Sequence, residues 1–261
     1  RHGYKYDGRK WVETGLILEA AATNLILNNT SNDGYVTASV SGGLQIASAR
    51  VVADPASETT TAPDGSSIPV LRGTGVAGGA YVFPDNTITS GTPYTFSVYV
   101  RRPTSNNASI RSFTIYTHTG RFPAFDYLIW DFDTNAFARV PTSAHVGSYG
   151  AETLNNGWVR IHMTATPNST GANFSFVTYF ADQTSDGTST PATDELASGD
   201  RFGYYWGTQM EASTSPSSYI PTYGTAVTRA ADVSSSVAYT REKDTARIHD
   251  ISWYNSKEST M

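Results

Sequence analysis

The chain has 261 residues, a formal net charge of −5 and no cysteine. The lack of cysteine excludes a disulfide framework and a thiolate metal site, and the acidic balance argues against nucleic acid as a partner, because such a surface needs a basic patch. No apolar run reaches the roughly 20 residues that a transmembrane helix requires, so insertion into a membrane is not expected.

Short segments of strand-forming residues follow one another along most of the chain, in which aromatic residues make up 12% and charged residues 16%. In chain order they cover residues 14–20, 24–28, 43–53, 68–72, 80–83, 94–102, 110–118, 125–132, 137–140, 158–167, 173–181 and 202–212. Turn-forming sequences such as Pro63-Asp64-Gly65 and Asn155-Asn156-Gly157 separate many of them. Many short strands divided by turns predict an all-β, antiparallel sandwich or barrel.

Two stretches differ from this pattern. Residues 183–200 are rich in Ser, Thr, Gly and acidic residues, and we predict a long surface loop there. After Asp232, lysine reappears for the first time since Lys10, so residues 233–261 are interpreted as a connector. Because the chain begins with Arg1 rather than Met, we expect it to be a piece of a longer polypeptide.

The two ends of the strand-rich region carry specific motifs. At its start stand GLILE at residues 15–19 and TNLILN at residues 23–28, and at its end stand WGTQME at 206–211, SYIPTYG at 218–224 and TRAAD at 228–232. This arrangement resembles a module found repeatedly in bacteriophage tail-fibre, tailspike and head-fibre proteins. Residues 94–100 and 156–160 are weaker internal matches to the same module.

The resemblance implies a carbohydrate-binding-module-like jelly roll, an antiparallel β-sandwich, over residues 14–232. Residues 1–13 then form a lead-in, and residues 233–261 form a connector or the start of a following lectin-like module. The implied protein is a non-enzymatic domain on the virion surface, outside the cell, that binds bacterial surface polysaccharide and contacts other virion proteins. Fibres of this kind are usually homotrimers. No cofactor is implied, although many jelly rolls hold a structural calcium ion, for which the sequence identifies no ligands.

The closing motifs are interpreted as structural rather than ligand-binding. Trp206 is expected to fill the core, since large aromatic side chains are usually buried. Residues 218–224 are expected to wrap the edge of the sandwich. The residues that contact a ligand must therefore be sought on the strands.

Alternation along five predicted strands separates core residues from outward-facing ones, since successive side chains point to opposite faces of a sheet. In residues 94–102, Phe96 and Val98 take the core face, and in residues 110–118 Phe113 and Ile115 take it. In residues 202–212, the core face is assigned to Tyr204, Trp206 and Met210, and the outer face to Tyr205, Gln209 and Glu211. If the five strands share one sheet, its outer face carries the candidate carbohydrate-binding residues Tyr99, Arg101, Tyr116, His118, Arg160, His162, Tyr179 and Gln209.

Such a face has the chemistry that sugar recognition needs. Aromatic rings pack on the apolar C–H face of a pyranose, and planar donors and acceptors bind its hydroxyl groups. Arg101 and Arg160 can also pair with a carboxylate or phosphate if the glycan is acidic. The alternative is a face that is solvent-exposed or packs against a neighbouring fibre subunit, because any sheet with one wet face shows the same alternation.

A second candidate surface lies within residues 118–133, where Arg121, Tyr127 and Trp130 stand close to three aspartates. Aromatic and acidic side chains together suit a sugar site. The alternative is a hydrophobic hairpin with solvated acids, because alternating apolar and polar residues are ordinary for strands.

Nothing in the sequence selects a catalytic site, and the chain is predicted to be non-enzymatic. Glycoside hydrolysis needs two carboxylates on either side of the bond, and no motif singles out a pair. The candidates are Asp126, Asp131, Asp133, Asp182, Glu195 and Glu211. The five histidines show no metal-ligand spacing. Residues 131–135 begin like a calcium loop but lack its glycine and its final glutamate.

Three functions stay open at this point. The first is a receptor module that binds host polysaccharide for adsorption. The second is a structural fibre segment that oligomerises and positions a downstream module. The third is a polysaccharide-degrading tailspike or its accessory binding module.

Overall fold

The strand-forming segments of the sequence form antiparallel sheets in the computed structural model. The structure describes residues 2–6, 11–16, 19–27, 44–46, 51–73, 82–84, 86–103, 110–172, 175–181 and 201–231. Within these ranges the only helical element is a 3-10 turn at Asn155–Gly157, and no helix is long and apolar enough to cross a membrane. The all-β prediction is confirmed. The predicted loop at 183–200 and the predicted connector at 233–261 lie outside the described residues.

The strands are numbered in chain order. They are β1 His2–Tyr6, β2 Trp11–Leu16, β3 Ala22–Asn24, β4 Leu44–Ile46, β5 Val51–Thr61, β6 Ser67–Gly73, β7 Val82–Pro84, β8 Tyr94–Arg101, β9 Ser112–Thr117, β10 Asp126–Asp131, β11 Ala136–Arg139, β12 Val146–Thr153, β13 Val159–Ala165, β14 Phe176–Ala181, β15 Arg201–Glu211 and β16 Val227–Arg229. β1 and β2 pair as an antiparallel hairpin. β3 to β16 belong to one compact unit, Ala20–Ala230.

Two six-stranded sheets form the main part of that unit. Sheet I has the strand order β11-β10-β9-β14-β7-β4, and sheet II has the order β12-β13-β8-β15-β6-β5. β3 and β16 form a separate two-stranded sheet. Neighbouring strands in each sheet are antiparallel, as the described registers show.

The two sheets contribute to one apolar core. Phe96 and Val98 of β8 in sheet II and Phe113 and Ile115 of β9 in sheet I belong to the same buried cluster. Phe96 stacks on Phe176 of sheet I with ring centroids 5.7 Å apart. Burial of each such side chain contributes about 1.5–3 kcal/mol. The core faces predicted for the strands at 94–102 and 110–118 are therefore confirmed.

In the hairpin of β12 and β13, the turn was predicted from the sequence, but the strand β12 was not. Asn156 and Gly157 adopt φ values of 72° and 79°, which is the backbone conformation that Asn-Gly favours in tight hairpin turns. The sequence patterns did not predict β12, Val146–Thr153. It is an edge strand with mostly exposed side chains, so it lacks the apolar alternation that identifies half-buried strands.

The five strands used to assemble one candidate face belong to two different sheets. β8, β13 and β15 are neighbours in sheet II, whereas β9 and β14 are neighbours in sheet I. The single shared outer face predicted from alternation is therefore wrong. Alternation shows which side chains share a face of their own strand, but pairing with distant strands decides which sheet that strand joins.

A bulge in β15 overturns part of the predicted inner and outer assignment. The register pairs Trp206 with Tyr99, and it shifts before the next pair of Gln209 with Ser97. Gly207 lies in this shift with φ 61°, where an added Cβ would stand 2.9 Å from the Tyr99 ring. The extra residue reverses the side on which the remaining side chains lie.

As a result, Tyr205 and Met210 both belong to the core between the sheets. Tyr204 and Trp206 belong to a second cluster on the outer side of sheet II, together with Tyr99. The prediction that Tyr204, Trp206 and Met210 share the core face is wrong. Trp206 is buried, as expected, but in the outer cluster.

The motifs that carry the family resemblance meet at the side chain of Asn24. Its Nδ2 donates to the carbonyl oxygens of Thr208, at 3.3 Å, and Ile220, at 3.0 Å. Its Oδ1 accepts from the backbone N–H groups of Ile26, at 3.1 Å, and Met210, at 3.2 Å. These four bonds use the full capacity of the amide. One buried residue thus ties the opening motif at 23–28 to two of the three closing motifs, at 206–211 and 218–224.

The segment after β15 lies over the outer face of sheet II instead of wrapping an edge. The Tyr219 ring packs 4.5 Å from the Trp206 ring, and β15 is an interior strand of the sheet. The Ile220 N–H donates to Gln209 Oε1 at 2.8 Å. The predicted edge position of residues 218–224 is therefore wrong, and residues 213–220 are called the covering segment below.

Candidate functional site

The predicted site residues other than Arg121 and Trp130 lie on the outer faces of the two sheets or beside them. Tyr116, Tyr127 and Tyr179 belong to one cluster on sheet I, together with Ile129 and Val177. Five others belong to strands of sheet II: Tyr99, Arg101, Arg160, His162 and Gln209. The first group, together with the adjoining His118 and Phe125, is called the tyrosine face. The second group is called the arginine face.

The tyrosine face is a packed group of rings. The Tyr116 ring lies at its centre, 5.2 Å from the Tyr127 ring and 6.0 Å from the Tyr179 ring. Tyr116 and Tyr127 are direct cross-strand partners, a position that brings side chains into contact on one face of a sheet. The tyrosines are buried, so they form a firm base for the residues at the rim.

Phe125 and His118 form the rim of this face. Phe125 is 45% exposed, and its ring is nearly parallel to the Tyr127 ring, at 21° and 6.5 Å. The His118 ring meets the Phe125 ring edge-on at 5.0 Å. Burial lowers the pKa of His118, and the nearby Arg121 guanidinium lowers it further. The imidazole is therefore neutral at pH 7. Its Nδ1 accepts from the Gly120 N–H at 3.0 Å, so the proton lies on Nε2, which is a donor.

Two residues of the tyrosine face were missed at the sequence level. Phe125 stands two positions before Tyr127, so strand periodicity places both on one side. The Arg139 guanidinium lies over the Tyr127 ring, 4.9 Å from its centroid. Arg139 lies on β11 and is the register partner of Ile129 on the neighbouring strand β10. Only the strand pairing reveals this relationship.

The second candidate surface does not form one cluster. Trp130 points into the core between the sheets and meets Phe137 edge-on at 5.2 Å, because it stands an odd number of positions from Tyr127. Arg121 donates from Nε to the Ala172 carbonyl at 3.0 Å. An added Cβ at Gly171 would lie 2.6 Å from this guanidinium. Arg121 thus holds two loops together. Of the three residues predicted for the second candidate surface, only Tyr127 lies on the tyrosine face.

Three residues of the arginine face hold other parts of the chain in place. Arg101 donates to the hydroxyl of Thr60, at the end of β5. Tyr99 packs edge-on against Trp206 at 5.2 Å, and burial raises the pKa of its hydroxyl. Gln209 donates to the Ser218 carbonyl at 3.3 Å. Tyr99 and Gln209 therefore fix the covering segment to sheet II.

Arg160 and His162 occupy the other part of this face. Arg160 Nη2 donates to the Ser97 hydroxyl at 3.0 Å, and its guanidinium carbon lies 5.3 Å from the Tyr99 ring centroid. His162 stands between Gly150 and Ser97 in the register. Burial, and then the charge of Arg160, lower the pKa of His162 to about 4. At neutral pH this part of the face therefore carries the charge of Arg160 beside a neutral imidazole.

Four of the six candidate catalytic carboxylates lie within the described residues, and all four are bonded to the protein. Asp126 accepts from the N–H groups of Thr142, at 3.0 Å, and Ser143, at 2.6 Å. Asp131 and Asp133 pair with arginines, and Glu211 accepts from the Ser217 hydroxyl at 2.6 Å. The other two sequence candidates, Asp182 and Glu195, lie outside the described residues. Among the residues that the structure describes, no group of three or more His, Asp or Glu side chains could hold a metal ion.

Comparison with protein-family models gives no match for this chain, and comparison with curated proteins gives no significant match. The motifs at residues 23–28, 206–211 and 218–224 share a structural role, because they meet at the Asn24 side chain.

Proposed function

We propose that this chain is a jelly-roll domain of a bacteriophage, or phage-like, particle fibre and that it binds host surface polysaccharide without cleaving it. The strand pairing supports the jelly roll. The β12–β13 hairpin is followed outward by the pairs β9–β14 and β8–β15, which alternate between the sheets. Such nesting arises when a long antiparallel ribbon folds over itself into a two-layered sandwich.

The observation that carries the binding proposal is the exposed Phe125 ring on its base of tyrosines. A flat apolar ring packs well on the C–H face of a pyranose. His118 and Arg139 beside it provide nitrogen donors for sugar hydroxyl groups. A rigid sheet holds these groups in fixed positions, which lowers the entropy cost of binding.

A fibre compensates for weak single sites by carrying several copies. In an oligomer, such as the trimer implied by the family resemblance, linked sites raise the overall avidity without new contacts. The engagement of Asp126, Asp131, Asp133 and Glu211 in internal bonds supports a binding role over hydrolysis.

Binding to a panel of capsular polysaccharides and lipopolysaccharides tests this proposal, with release of reducing ends measured in the same samples. We expect saturable binding to one polysaccharide and no cleavage. Phe125→Ala should weaken binding at least about fivefold, since aromatic stacking contributes on the order of 1 kcal/mol. Tyr223→Ala is the matched control, because Tyr223 is exposed but lies on the segment beyond β15.

Equal binding by wild type and Phe125→Ala would remove the tyrosine face from the proposal. Binding accompanied by reducing-end release would identify a degrading enzyme. A stable oligomer with no binding to any polysaccharide would favour the structural fibre segment. That second candidate is supported by the exposed apolar side chains of Val140 and Tyr149 near the edge strands β11 and β12, which suit contact with a neighbouring subunit.

A further inference from the structure

Arg160 is a buried cation without an anionic partner among the residues that the structure describes. It is 8% exposed, and its hydrogen bond runs to the neutral hydroxyl of Ser97. Among the described residues no carboxylate forms an ion pair with it; the ion pairs there involve Arg102 and Arg111. Its Nε is buried and has no hydrogen-bond partner within the same part of the chain. Proteins rarely retain such a charge for stability alone, because desolvation penalises it.

The described acidic residue opposite Arg160 in the register does not neutralise it. Glu152 is its register partner on the edge strand β12. Its side chain is exposed to solvent, and the two side chains make no ion pair in the described structure. Tyr99 contributes only the face of its ring. Within the part of the chain that the structure describes, the guanidinium charge therefore has no carboxylate to neutralise it.

The surroundings of Arg160 suit a small polar ligand. His162 lies on the same side of β13, two residues further on, and Ser97 is its register partner. Gly150 stands on the other side of His162, and an added Cβ there would lie 2.6 Å from the imidazole. The glycine thus makes room for the ring over the edge strand. A guanidinium, a hydroxyl and an imidazole are brought together in neighbouring register positions.

We propose that Arg160 and His162 form a binding site for a carboxylate-bearing sugar, such as a uronic acid residue of the host polysaccharide, and that the buried Ser97 hydroxyl holds the Arg160 guanidinium from beneath. The sugar class rests on the function proposed above, whereas the requirement for an anion rests on Arg160. Guanidinium groups bind carboxylates through two parallel hydrogen bonds. Because His162 is neutral at pH 7, the site offers one positive charge, which matches a singly charged carboxylate.

Titration of the whole chain with sodium glucuronate, glucose and inorganic phosphate, followed by amide NMR shifts, tests this site. Saturable shifts around residues 97, 150, 160 and 162 are expected with glucuronate and not with glucose. Arg160→Met should abolish these shifts while leaving the thermal midpoint equal to or above that of wild type. Arg102→Met removes the same charge elsewhere and should leave glucuronate binding unchanged.

Three results would overturn the inference. Equal responses to glucose and glucuronate would show that the carboxylate is not recognised. A markedly lower thermal midpoint in Arg160→Met would assign the arginine a structural role. Tighter binding of phosphate than of glucuronate would make the site a general anion site and not a sugar site. Failure of the polysaccharide panel with intact glucuronate binding would instead refute the proposed function and leave the carboxylate site standing.

Discussion

The outer faces of the two sheets have similar residues but different surroundings. On sheet II, Tyr99 and Trp206 lie beneath Tyr219 of the covering segment. On sheet I, the tyrosines support Phe125, whose ring is largely exposed. An outward-facing aromatic residue can thus belong either to a second core or to a surface, and the chain that crosses above it makes the difference. Aromatic residues of a second core should contribute mainly to stability, and those on a surface mainly to binding.

The largest effect is expected from removal of the second core. Trp206→Ala should lower the free energy of unfolding by about 3–5 kcal/mol, because a large buried aromatic side chain is lost and a cavity remains. Phe125→Ala, on the other face, should change it by less than about 0.5 kcal/mol, as exposed substitutions usually do. Urea denaturation of both variants measures the difference. Similar losses in the two variants would show that the faces do not differ in this way.

A slightly smaller loss is expected at Asn24, which fastens the covering segment. Asn24→Ala removes four buried hydrogen bonds and should cost about 3 kcal/mol, at roughly 0.75 kcal/mol for each bond. Thr23→Ala is the control, because it removes one exposed hydroxyl contact with Thr228 and should cost little. An Asn24 variant as stable as the control would argue against the amide as the link between the motifs.

The smallest effect is a pH dependence at the arginine face. The pKa of His162 is about 4 in the folded protein against an ordinary 6.5. Between these values the unfolded chain binds a proton that the folded protein does not, so stability falls as pH is lowered from about 7 to 4. For a partly exposed group the contribution is about 1–2 kcal/mol.

His162→Gln should reduce that pH dependence by the same amount. The comparison is made by urea denaturation at pH 7 and pH 4.5. Burial also lowers the pKa of His118 and His145, so part of the acid destabilisation should persist in the variant. An unchanged difference between the two pH values would contradict the role given to His162.

Much of the local structure was predictable because it depends on short stretches of sequence. The strands predicted at 94–102 and 125–132 correspond to Tyr94–Arg101 and Asp126–Asp131. The candidate site was less predictable. Tyr116, Tyr127 and Tyr179 do meet, but Arg139 reaches Tyr127 only through the pairing of β10 with β11.

The sequence by itself determined the all-β class and, for β8 and β9, which side chains point into the core, since alternation is a property of each strand alone. The tertiary structure decided that β8 and β9 join different sheets and that residues 213–220 cover one outer face. It also decided that a bulge at Gly207 places Trp206 and Met210 on opposite sides of sheet II. These features depend on contacts between residues far apart in the chain, such as Asn24 with Ile220. The alternation of residues within one strand does not depend on such contacts and therefore cannot predict them.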